Sequence, residues 1–553
     1  MTERVADPAG AKVAVLGGGI GGLTAAHELT ERGFDVTIYE ANDRVGGKAR
    51  SVPVPGSGGL PLPGEHGFRF FPGFYRHVVD TMARIPDGNG RTVEDHLVPT
   101  EQTLISRIHG ENHVSDLGTP RGLGEWLSRL QPGDGSLPAR EAAFFAERLL
   151  ELLTSCERRR NEELDGVTWW EYIEADRMSA AYRGQLAEAT QALVALRPQK
   201  ASARSMGQIY FQLLRGQLDP RLDTERILDG PTSEVWITPW RELLESLGVD
   251  FVTNARVCEL TVSGREIAEV VVERGSQRER VTADWYVLSV PVEVVANLLS
   301  PDLSRIPPSM AGVEHLETAW MNGLQFYLRE DVPVVAGHQL FVDSPWALTA
   351  ISQAQFWECD LRERGDGEVA GVLSVIVSDW TKPGMLFEKP AKECSPEEIR
   401  DEVWAQLMAH LDSEAQALLS EAVVEEWFLD PELQTDGDGV ENGAPLLVNT
   451  VGSLKHRPSA DPEPRNLFLA ADYVRTNTDL ASMEAANEAG RRAANAILDA
   501  AGVGGPRANV WELVEPPIFE PLQAQDRIRY GLGLPHPGRA RAEVSGAVRR
   551  LFA

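Results

Sequence analysis

The segment between residues 12 and 50 constrains the fold of this 553-residue chain more than any other stretch. A β-branched run at Lys12–Leu16 predicts a buried strand, and apolar residues at helical spacing predict a helix directly after it. Gly17, Gly19 and Gly22 form the pattern G-x-G-x-x-G at the junction. The first glycine permits a tight turn, the second lets the backbone approach a pyrophosphate, and the third lets the helix pack closely on the strand. This arrangement predicts a dinucleotide-binding site.

Glu40 follows the second predicted strand, Asp35–Tyr39, and indicates which kind of dinucleotide is bound. A carboxylate at this place accepts hydrogen bonds from the ribose hydroxyls of an adenosine and repels a 2′-phosphate, which disfavours an NADP-type ligand. The pattern R-x-G-G-K-x-R comes next, formed by Arg44, Gly46, Gly47, Lys48 and Arg50. It resembles the second phosphate-and-flavin loop of the FAD-binding amine oxidase and phytoene desaturase superfamily, and the resemblance implies FAD.

The C-terminal third of the chain contains a second element that resembles this superfamily. Residues 466–473 (NLFLAADY) and 481–486 (ASMEAA) resemble the L-A-G-D-Y and A-S-M-E-G-A segments of plant-type phytoene and ζ-carotene desaturases. The resemblance implies that Asp472 holds ribityl or pyrophosphate groups and that the helix start at Met483 favours negative charge on the flavin. The last of the four cysteines is Cys394, so we expect the FAD to be bound noncovalently.

Two further segments resemble the desaturases. Residues 228–239 (LDGPTSEVWITP) match the stretch L-D-G-x-x-x-E-R-L-x-x-P, except that Val235 stands where carotene desaturases have an arginine thought to face the flavin. An arginine polarises a quinone or stabilises charge during hydride loss, and valine cannot. Residues 65–75 (EHGFRFFPGFY) resemble the desaturase segment that runs beneath the flavin, where a Gly-His pair precedes aromatic residues.

The resemblance implies two sets of site residues. The cofactor-binding set is Gly17, Gly19, Ile20, Gly21, Gly22, Glu40, Ala41, Arg44, Gly46, Gly47, Lys48, Arg50, Gly67, Phe68, Arg69, Val257, Pro291, Ala471, Asp472, Ser482, Met483 and Glu484. Phe70, Phe71, Tyr75 and Trp236 are expected to line an apolar tunnel, with ordinary core packing as the alternative. His66 and Tyr473 are candidates for a proton-transfer group, although a structural role for the histidine is the alternative. No metal site is expected.

Composition restricts the class of protein and its partners. Apolar residues make up 42% and charged residues 25% of the chain, as in globular proteins, and no apolar run is long enough to cross a membrane. The N-terminus lacks an apolar signal region and the four cysteines lack metal-binding spacing, so we expect a cytoplasmic protein without disulfides or zinc. A net charge of −30 excludes nucleic acid as a partner.

The end of the chain is the one basic segment. Its last sixteen residues contain Arg539, Arg541, Arg549 and Arg550 against Glu543, a local charge of +3. Either this is a solvated terminal helix, or it makes weak contact with a membrane surface and the protein is membrane-peripheral.

We expect an α/β fold in which a Rossmann-type FAD-binding domain, of the glutathione-reductase kind, is interrupted by an α+β substrate domain. Residues 90–225 are expected to be mostly helical. The expected divisions are a discontinuous FAD-binding domain at 11–90, 225–306 and 440–502, a substrate domain at 91–224 and 307–439, and a C-terminal extension at 503–553.

The leading functional hypothesis is a flavin-dependent dehydrogenase or desaturase. It takes a hydride from a C–H bond of a hydrophobic, isoprenoid-like substrate to form C=C, and O2 or a quinone reoxidises the flavin. One alternative is an amine oxidase that gives an imine and H2O2, a class that uses a lysine near the flavin, and no lysine stands in a matching context here. The others are a redox-neutral isomerase or hydroxysqualene-dehydroxylase-like enzyme, and a flavin-fold binding protein without turnover.

Overall fold

The computed structural model describes residues 10–108, 111–117, 137–218, 225–299, 309–411, 413–421, 424–437 and 439–538. Its strands are β1 Lys12–Leu16, β2 Asp35–Tyr39, β3 Ser51–Pro53, β4 Pro63–Glu65, β5 Phe71–Pro72, β6 Leu97–Pro99, β7 Gln102–Arg107, β8 Glu111–Asp116, β9 Glu225–Leu228, β10 Asp250–Val252, β11 Arg256–Ser263, β12 Glu266–Arg274, β13 Gln277–Val281, β14 Trp285–Leu288, β15 Thr318–Ala319, β16 Asn322–Leu328, β17 Gly337–Phe341, β18 Thr349–Ser352, β19 Gly371–Val377, β20 Val424–Leu429, β21 Leu433–Asp436, β22 Gly439–Asn442, β23 Leu446–Leu447 and β24 Leu467–Leu469. Its helices of six or more residues are α1 Ile20–Thr30, α2 His77–Met82, α3 Ala139–Thr154, α4 Ala189–Val194, α5 Ala203–Leu218, α6 Thr238–Ser246, α7 Val292–Leu299, α8 Pro396–His410, α9 Ser413–Glu421, α10 Met483–Ala500 and α11 Glu520–Gly531.

A five-stranded parallel sheet in the order β10-β2-β1-β14-β24 forms the first layer. Its central strand is apolar and buried from Val13 to Leu16, because helices cover both faces of a parallel sheet. Helix α1 packs tightly against α10, where a Cβ at Gly490 would lie only 2.5 Å from the carbonyl oxygen of Gly21. This architecture confirms the predicted α/β class with a Rossmann-type FAD domain.

A seven-stranded sheet in the order β20-β16-β19-β18-β17-β7-β8 forms the second layer. All its pairings are antiparallel except the parallel pair of β17 and β7. Helix α8 packs its apolar residues, including Ile399 and Val403, on one face of this sheet. The described part of the region from 90 to 225 is mostly helical, as expected, with its helices between residues 137 and 218. It begins, however, with strands β6 to β8, which lie within residues 97–116 and are held by partners far along the chain, at β9 and β17.

The helices between residues 137 and 218 pack around a core of their own, which includes Phe145, Trp169 and Met206. Helix α11 of the C-terminal extension is fastened to this region by Asp526, which is fully buried and accepts hydrogen bonds from the Cys156 backbone and the Arg159 guanidinium. The extension up to residue 538 is therefore integrated with the helical region. The predicted domain limits remain a prediction.

Among the residues that the structure describes, no helix combines the length and the apolarity needed to cross a membrane. The basic segment predicted to be a solvated helix or a membrane contact, with Arg539, Arg541, Arg549 and Arg550, lies outside the described residues.

Candidate active site

One cavity of about 700 Å³ lies where the carboxyl ends of β1, β2 and β14 approach the seven-stranded sheet. The open edge at the carboxyl ends of parallel strands is where α/β folds of this kind bind nucleotides. Every predicted cofactor residue lines this cavity except Gly22, Arg44 and Glu484. Segments that are hundreds of residues apart in the chain thus meet around a single space.

The glycine-rich turn has the geometry that a pyrophosphate needs. Gly17 has a φ of +109°, in the left-handed region that favours glycine. A Cβ at Gly19 would find no atom nearer than Gly47 Cα at 3.9 Å, so the backbone there borders open space. Gly22 has a different role, because a Cβ there would lie 2.0 Å from the carbonyl oxygen of Gly17. It lies away from the cavity and permits close packing of helix and turn.

Glu40 lines the cavity and is fixed by three hydrogen bonds. Its Oε2 accepts from the Gly18 backbone at 2.8 Å, and its Oε1 accepts from the Asn42 backbone and side-chain nitrogens at 2.9 and 2.8 Å. A carboxylate has about four lone-pair sites, so acceptor capacity remains for a ribose hydroxyl. Sequence reasoning missed the contribution of Asn42, which has no motif of its own.

Two predicted cofactor residues have other roles. Glu484 accepts hydrogen bonds from the backbone nitrogens of Arg76, His77 and Val78 and therefore caps the start of α2. These donors occupy the carboxylate of Glu484. The start of α10 does reach the cavity, but through Ser482 and Met483 rather than Glu484. The Arg44 guanidinium lies 3.5 Å from Asp43 at the surface, because the loop turns its side chain outward.

A polar strip crosses the cavity between the predicted flavin loop and the second sheet. Lys48 Nζ donates to the carbonyl of Pro445, and Arg50 donates to Glu432 at 3.0 Å. Arg69 donates to the carbonyl oxygens of Gly67 and Lys48, both at 2.6 Å, and its Nε has no partner among the described residues. Burial lowers the pKa of Arg69, although nearby carboxylates raise it.

His66 lines the cavity and pairs with Asp430. Its Nδ1 contacts Asp430 Oδ2, and the same oxygen accepts a hydrogen bond of 2.7 Å from the Asn322 amide. Burial raises the pKa of Asp430, but the adjacent imidazole and the hydrogen bonds from Asn322 and the Glu432 backbone together lower the pKa below its ordinary value. Neither ring nitrogen of His66 makes a hydrogen bond of regular geometry in the described part of the chain, so Nδ1 meets Asp430 as a close ion-pair contact and Nε2 has no partner. No local sequence pattern could reveal that His66 pairs with Asp430, because the two residues are about 360 positions apart in the chain.

Tyr473, the other candidate for proton transfer, does not line the cavity. It is fully buried, its hydroxyl has no partner among the described residues, and burial raises the pKa of Tyr473 far above its ordinary value. The assignment of a proton-transfer role to Tyr473 is therefore corrected.

The expected tunnel residues divide into two groups. Phe70 and Tyr75 line the cavity, whereas Phe71 and Trp236 do not. Phe71 is fully buried with its ring 5.7 Å from that of Trp236, which in turn stacks on Trp240 at 6.2 Å. Phe71 belongs to the core because consecutive side chains of an extended segment point in opposite directions. Trp236 belongs to it because it lies on the buried side of the helical turn at residues 233–237.

The substrate side of the cavity is apolar. Its walls include residues from α4, α5 and the second sheet that sequence reasoning did not single out: Ala192, Leu193, Val194, Leu196, Met206, Ile209, Leu213, Met321, His338, Thr349 and Ile376. The helical residues follow an amphipathic pattern typical of plain core, so no local signal separates them from core positions.

Aspartate at Phe71 should reduce the stability of the fold, whereas aspartate at Phe70 should weaken ligand binding. Phe71→Asp places a carboxylate in a closed core, so we expect the free energy of unfolding to fall by at least ~3 kcal/mol. Phe70→Asp places it at the cavity wall, where the fold persists and apolar ligands bind more weakly. Denaturant titration of both variants, with Phe70→Leu and Phe71→Leu as controls, checks this; equal destabilisation by the two aspartates would contradict the assignment.

The comparison with known proteins agrees with this geometry. Residues 20–498 match the family model described as flavin containing amine oxidoreductase. The chain belongs to this family. It is 25% identical over 512 residues to a ζ-carotene desaturase of Synechocystis sp., which covers 88% of this chain and 97% of that protein. It is 22% identical over 507 residues to a 15-cis-phytoene desaturase of Synechococcus elongatus, with 88% and 96% covered.

Solved structures share the fold of this family member at low sequence identity. Putrescine oxidase bound to putrescine has a TM-score of 0.62 at 16% identity, covering 89% of this chain and 99% of that chain. Cyclohexylamine oxidase from Brevibacterium oxydans has a TM-score of 0.60, also at 16% identity, with 88% and 99% covered. Membership of the family confirms FAD as the cofactor and a flavin-dependent oxidoreductase as the kind of enzyme.

The residues of this chain fit FAD. Open space at Gly19 leaves room for a pyrophosphate, and the fixed carboxylate of Glu40 can accept hydrogen bonds from a ribose. The helix start at Met483 suits an electron-rich ring edge. No cysteine of the chain lines the cavity. Noncovalent attachment remains our prediction.

Proposed function

We propose that this protein is an FAD-dependent dehydrogenase that forms a C=C bond in a hydrophobic, isoprenoid-like substrate. The observation that carries the proposal is the substrate side of the cavity, whose described walls are mostly apolar and whose two carboxylates next to the second sheet are both paired with cationic side chains. Asp430 and Glu432 are paired with His66 and Arg50. The names of the desaturase relatives support an apolar substrate of this kind.

The distribution of lysine also disfavours amine oxidation. Among the described residues that line the cavity, Lys48 is the one lysine, and it belongs to the glycine-rich flavin loop. Its ammonium group donates to the carbonyl of Pro445. We therefore place the amine oxidase hypothesis second.

FAD, when bound, supplies the hydride acceptor. The chain itself must supply an apolar surface that orients the substrate and a group that takes the proton from the neighbouring carbon. His66 fits this second task, because Nδ1 faces the Asp430 carboxylate and Nε2 is left without a protein partner. The carboxylate holds the ring proton on Nδ1 and leaves Nε2 as the acceptor. Loss of a hydride and a proton then leaves the C=C bond.

The supports of Asp430 keep this pair in place. The Asn322 amide donates to Asp430, and Asn442 donates to the side-chain oxygen of Asn322 at 2.8 Å. The Glu432 backbone donates to the second carboxylate oxygen at 3.2 Å. These hydrogen bonds hold Asp430, and through it the imidazole, in a fixed position. After the substrate has reacted, oxygen or a quinone accepts the electrons.

Product analysis tests the proposed reaction. The holoenzyme is incubated with isoprenoid hydrocarbons, isoprenoid alcohols and primary amines, in air and with a soluble quinone, and the products are identified by mass spectrometry. We expect an isoprenoid that has lost two hydrogen atoms. Conversion of amines alone, with release of H2O2, would instead establish an amine oxidase, and an isomerised product of unchanged mass would establish a redox-neutral enzyme.

We also propose that the C-terminal extension attaches the enzyme to an anionic lipid surface. Leu522 and Ile528 lie on α11, and Ile518 and Leu532 lie just before and just after it. Residues 518, 528 and 532 are 75%, 68% and 71% exposed, so this part of the extension presents an apolar stripe. Asp526, which lies between Leu522 and Ile528 along the chain, anchors the helix to the protein. An exposed stripe of this kind buries itself in a lipid interface.

Charge supports lipid as the occupant of this stripe. The residues that follow position 538 carry a net charge of +3 in a chain of net charge −30, which suits anionic headgroups. We expect the wild type to float with phosphatidylglycerol vesicles, and we expect Ile528→Glu with Leu532→Glu to lower the bound fraction about tenfold. Leu386→Glu, at a leucine that is 54% exposed elsewhere, is the control. Unchanged flotation of the double variant would contradict the assignment.

A further inference from the structure

A second histidine of the cavity has no role in the reaction described above. His338 lies on β17, and its side chain lines the cavity among apolar residues. The imidazole contacts Phe68 edge-on, with ring centroids 5.3 Å apart, and Phe70 in a tilted arrangement at 5.6 Å. Only 7% of the residue is exposed. His338 is therefore a polar group enclosed by the aromatic wall of the substrate side.

The strand register places other cavity residues on the same face as His338. Leu340 pairs with Thr349, and Thr349 pairs with Ile376 on the next strand. Because side chains alternate along a strand, His338, Thr349 and Ile376 project from one face of the sheet. All three line the cavity, so an imidazole and a hydroxyl project from the same face of the sheet, with Thr349 two residues along its strand from the position opposite His338.

The imidazole of His338 is not satisfied by the protein. Its Nε2 is buried without a hydrogen-bond partner among the described residues. Burial lowers the pKa of His338 to about 4, so the ring is neutral at pH 7. A neutral imidazole has one donor and one acceptor. Leaving such a group unpaired in an apolar environment costs free energy, which a ligand that pairs with it recovers.

We propose that His338, with Thr349 on the same face of the sheet, binds a hydroxyl or carbonyl oxygen on the substrate. The substrate is then an oxygenated apolar molecule, such as an isoprenoid alcohol or ketone, rather than a pure hydrocarbon. A carboxylate or an ammonium group is disfavoured because the imidazole carries no charge with which to pair. The inference rests on the proposed function and adds the polar group that orients the substrate in the cavity.

Binding of two matched probes tests the inference. Farnesol and the hydrocarbon farnesene are titrated into the oxidised holoenzyme, and dissociation constants are obtained from the perturbation of the flavin spectrum. The variants are His338→Phe, which matches the aromatic neighbours in size and shape, His338→Gln, which keeps a donor and an acceptor, and Thr349→Val. Thermal unfolding of each variant checks that the fold is retained.

We expect the wild type to bind farnesol about tenfold more tightly than farnesene. His338→Phe should abolish the preference by weakening farnesol binding alone, and His338→Gln should restore part of it. Equal affinity for the two probes in the wild type, or a preference that persists in His338→Phe, would overturn the inference and leave the proposed function standing. Failure of the wild type to bind either probe would overturn both.

Discussion

Glu40→Arg is expected to yield a folded protein that purifies without FAD. Glu40 is buried at the cavity wall, and its carboxylate accepts hydrogen bonds from the backbone nitrogens of Gly18 and Asn42. Arginine has no acceptor, so these donors lose their partner and a cation faces the ribose site. The combined cost is on the order of 3 kcal/mol or more, which corresponds to at least about a hundredfold weaker FAD binding.

The ratio of flavin absorbance to protein absorbance after purification measures this effect, and circular dichroism reports whether the fold persists. Glu40→Gln is the matched control, because it keeps an acceptor oxygen and removes only the charge. We expect partial occupancy in the glutamine variant and none in the arginine variant. Full flavin occupancy in Glu40→Arg would show that Glu40 does not face the cofactor.

His66→Ala is expected to slow flavin reduction by substrate about 10²- to 10⁴-fold while FAD occupancy stays unchanged. Among the described residues that line the cavity, His66 is the one imidazole in contact with a carboxylate. Alanine removes it, and the proton of the neighbouring carbon then lacks an acceptor. Asp430→Asn should produce a smaller loss, because it retains the imidazole and removes the charge that orients it. The two substitutions act on one unit, so the double variant should be no slower than His66→Ala.

Anaerobic rapid mixing with a reactive substrate measures these rates, and His66→Gln is the control that retains a side chain of similar size. Full additivity of His66→Ala and Asp430→Asn would show that the two residues act independently. A wild-type rate in His66→Ala would assign the histidine to structure, and the proton would then leave to water.

The nucleotide half of the fold was predictable because its signals are local. The strand at Lys12–Leu16 and the strand at Asp35–Tyr39 begin and end at the residues that the sequence indicates. A parallel strand buried on both faces has to be apolar throughout, and a turn of positive φ has to be glycine. These constraints act within a few residues, so the sequence pattern expresses them directly.

Side-chain direction was the part that resemblance predicted poorly. Glu484, Phe71 and Trp236 lie in segments that reach the cavity, but their side chains cap a helix or fill the core. A motif locates a segment along the chain, whereas one step along the backbone turns the next side chain to the other face. Val235 illustrates the same limit, since it packs against Gly230 and does not line the cavity.

The polar groups of the substrate side could not be predicted from the sequence, for a different reason. Asp430 directly follows β20, and the pairing of β20 with β16 brings its carboxylate to His66. His338 is brought to Phe68 and Phe70 by the register of β17 with β18 and β7. Such long-range pairings depend on the whole sheet, and neither residue stands in a pattern that marks it as functional.

Anaerobic reduction of the bound FAD tests the central claim most directly. The oxidised holoenzyme is mixed, without oxygen, with farnesol in one experiment and with putrescine in the other, and the visible flavin absorbance is followed. We expect rapid bleaching with the isoprenoid alcohol and no change with the diamine, because the described walls of the substrate side are mostly apolar and its carboxylates Asp430 and Glu432 are paired with His66 and Arg50. Rapid bleaching by putrescine with none by farnesol would contradict the assignment as a dehydrogenase of apolar substrates.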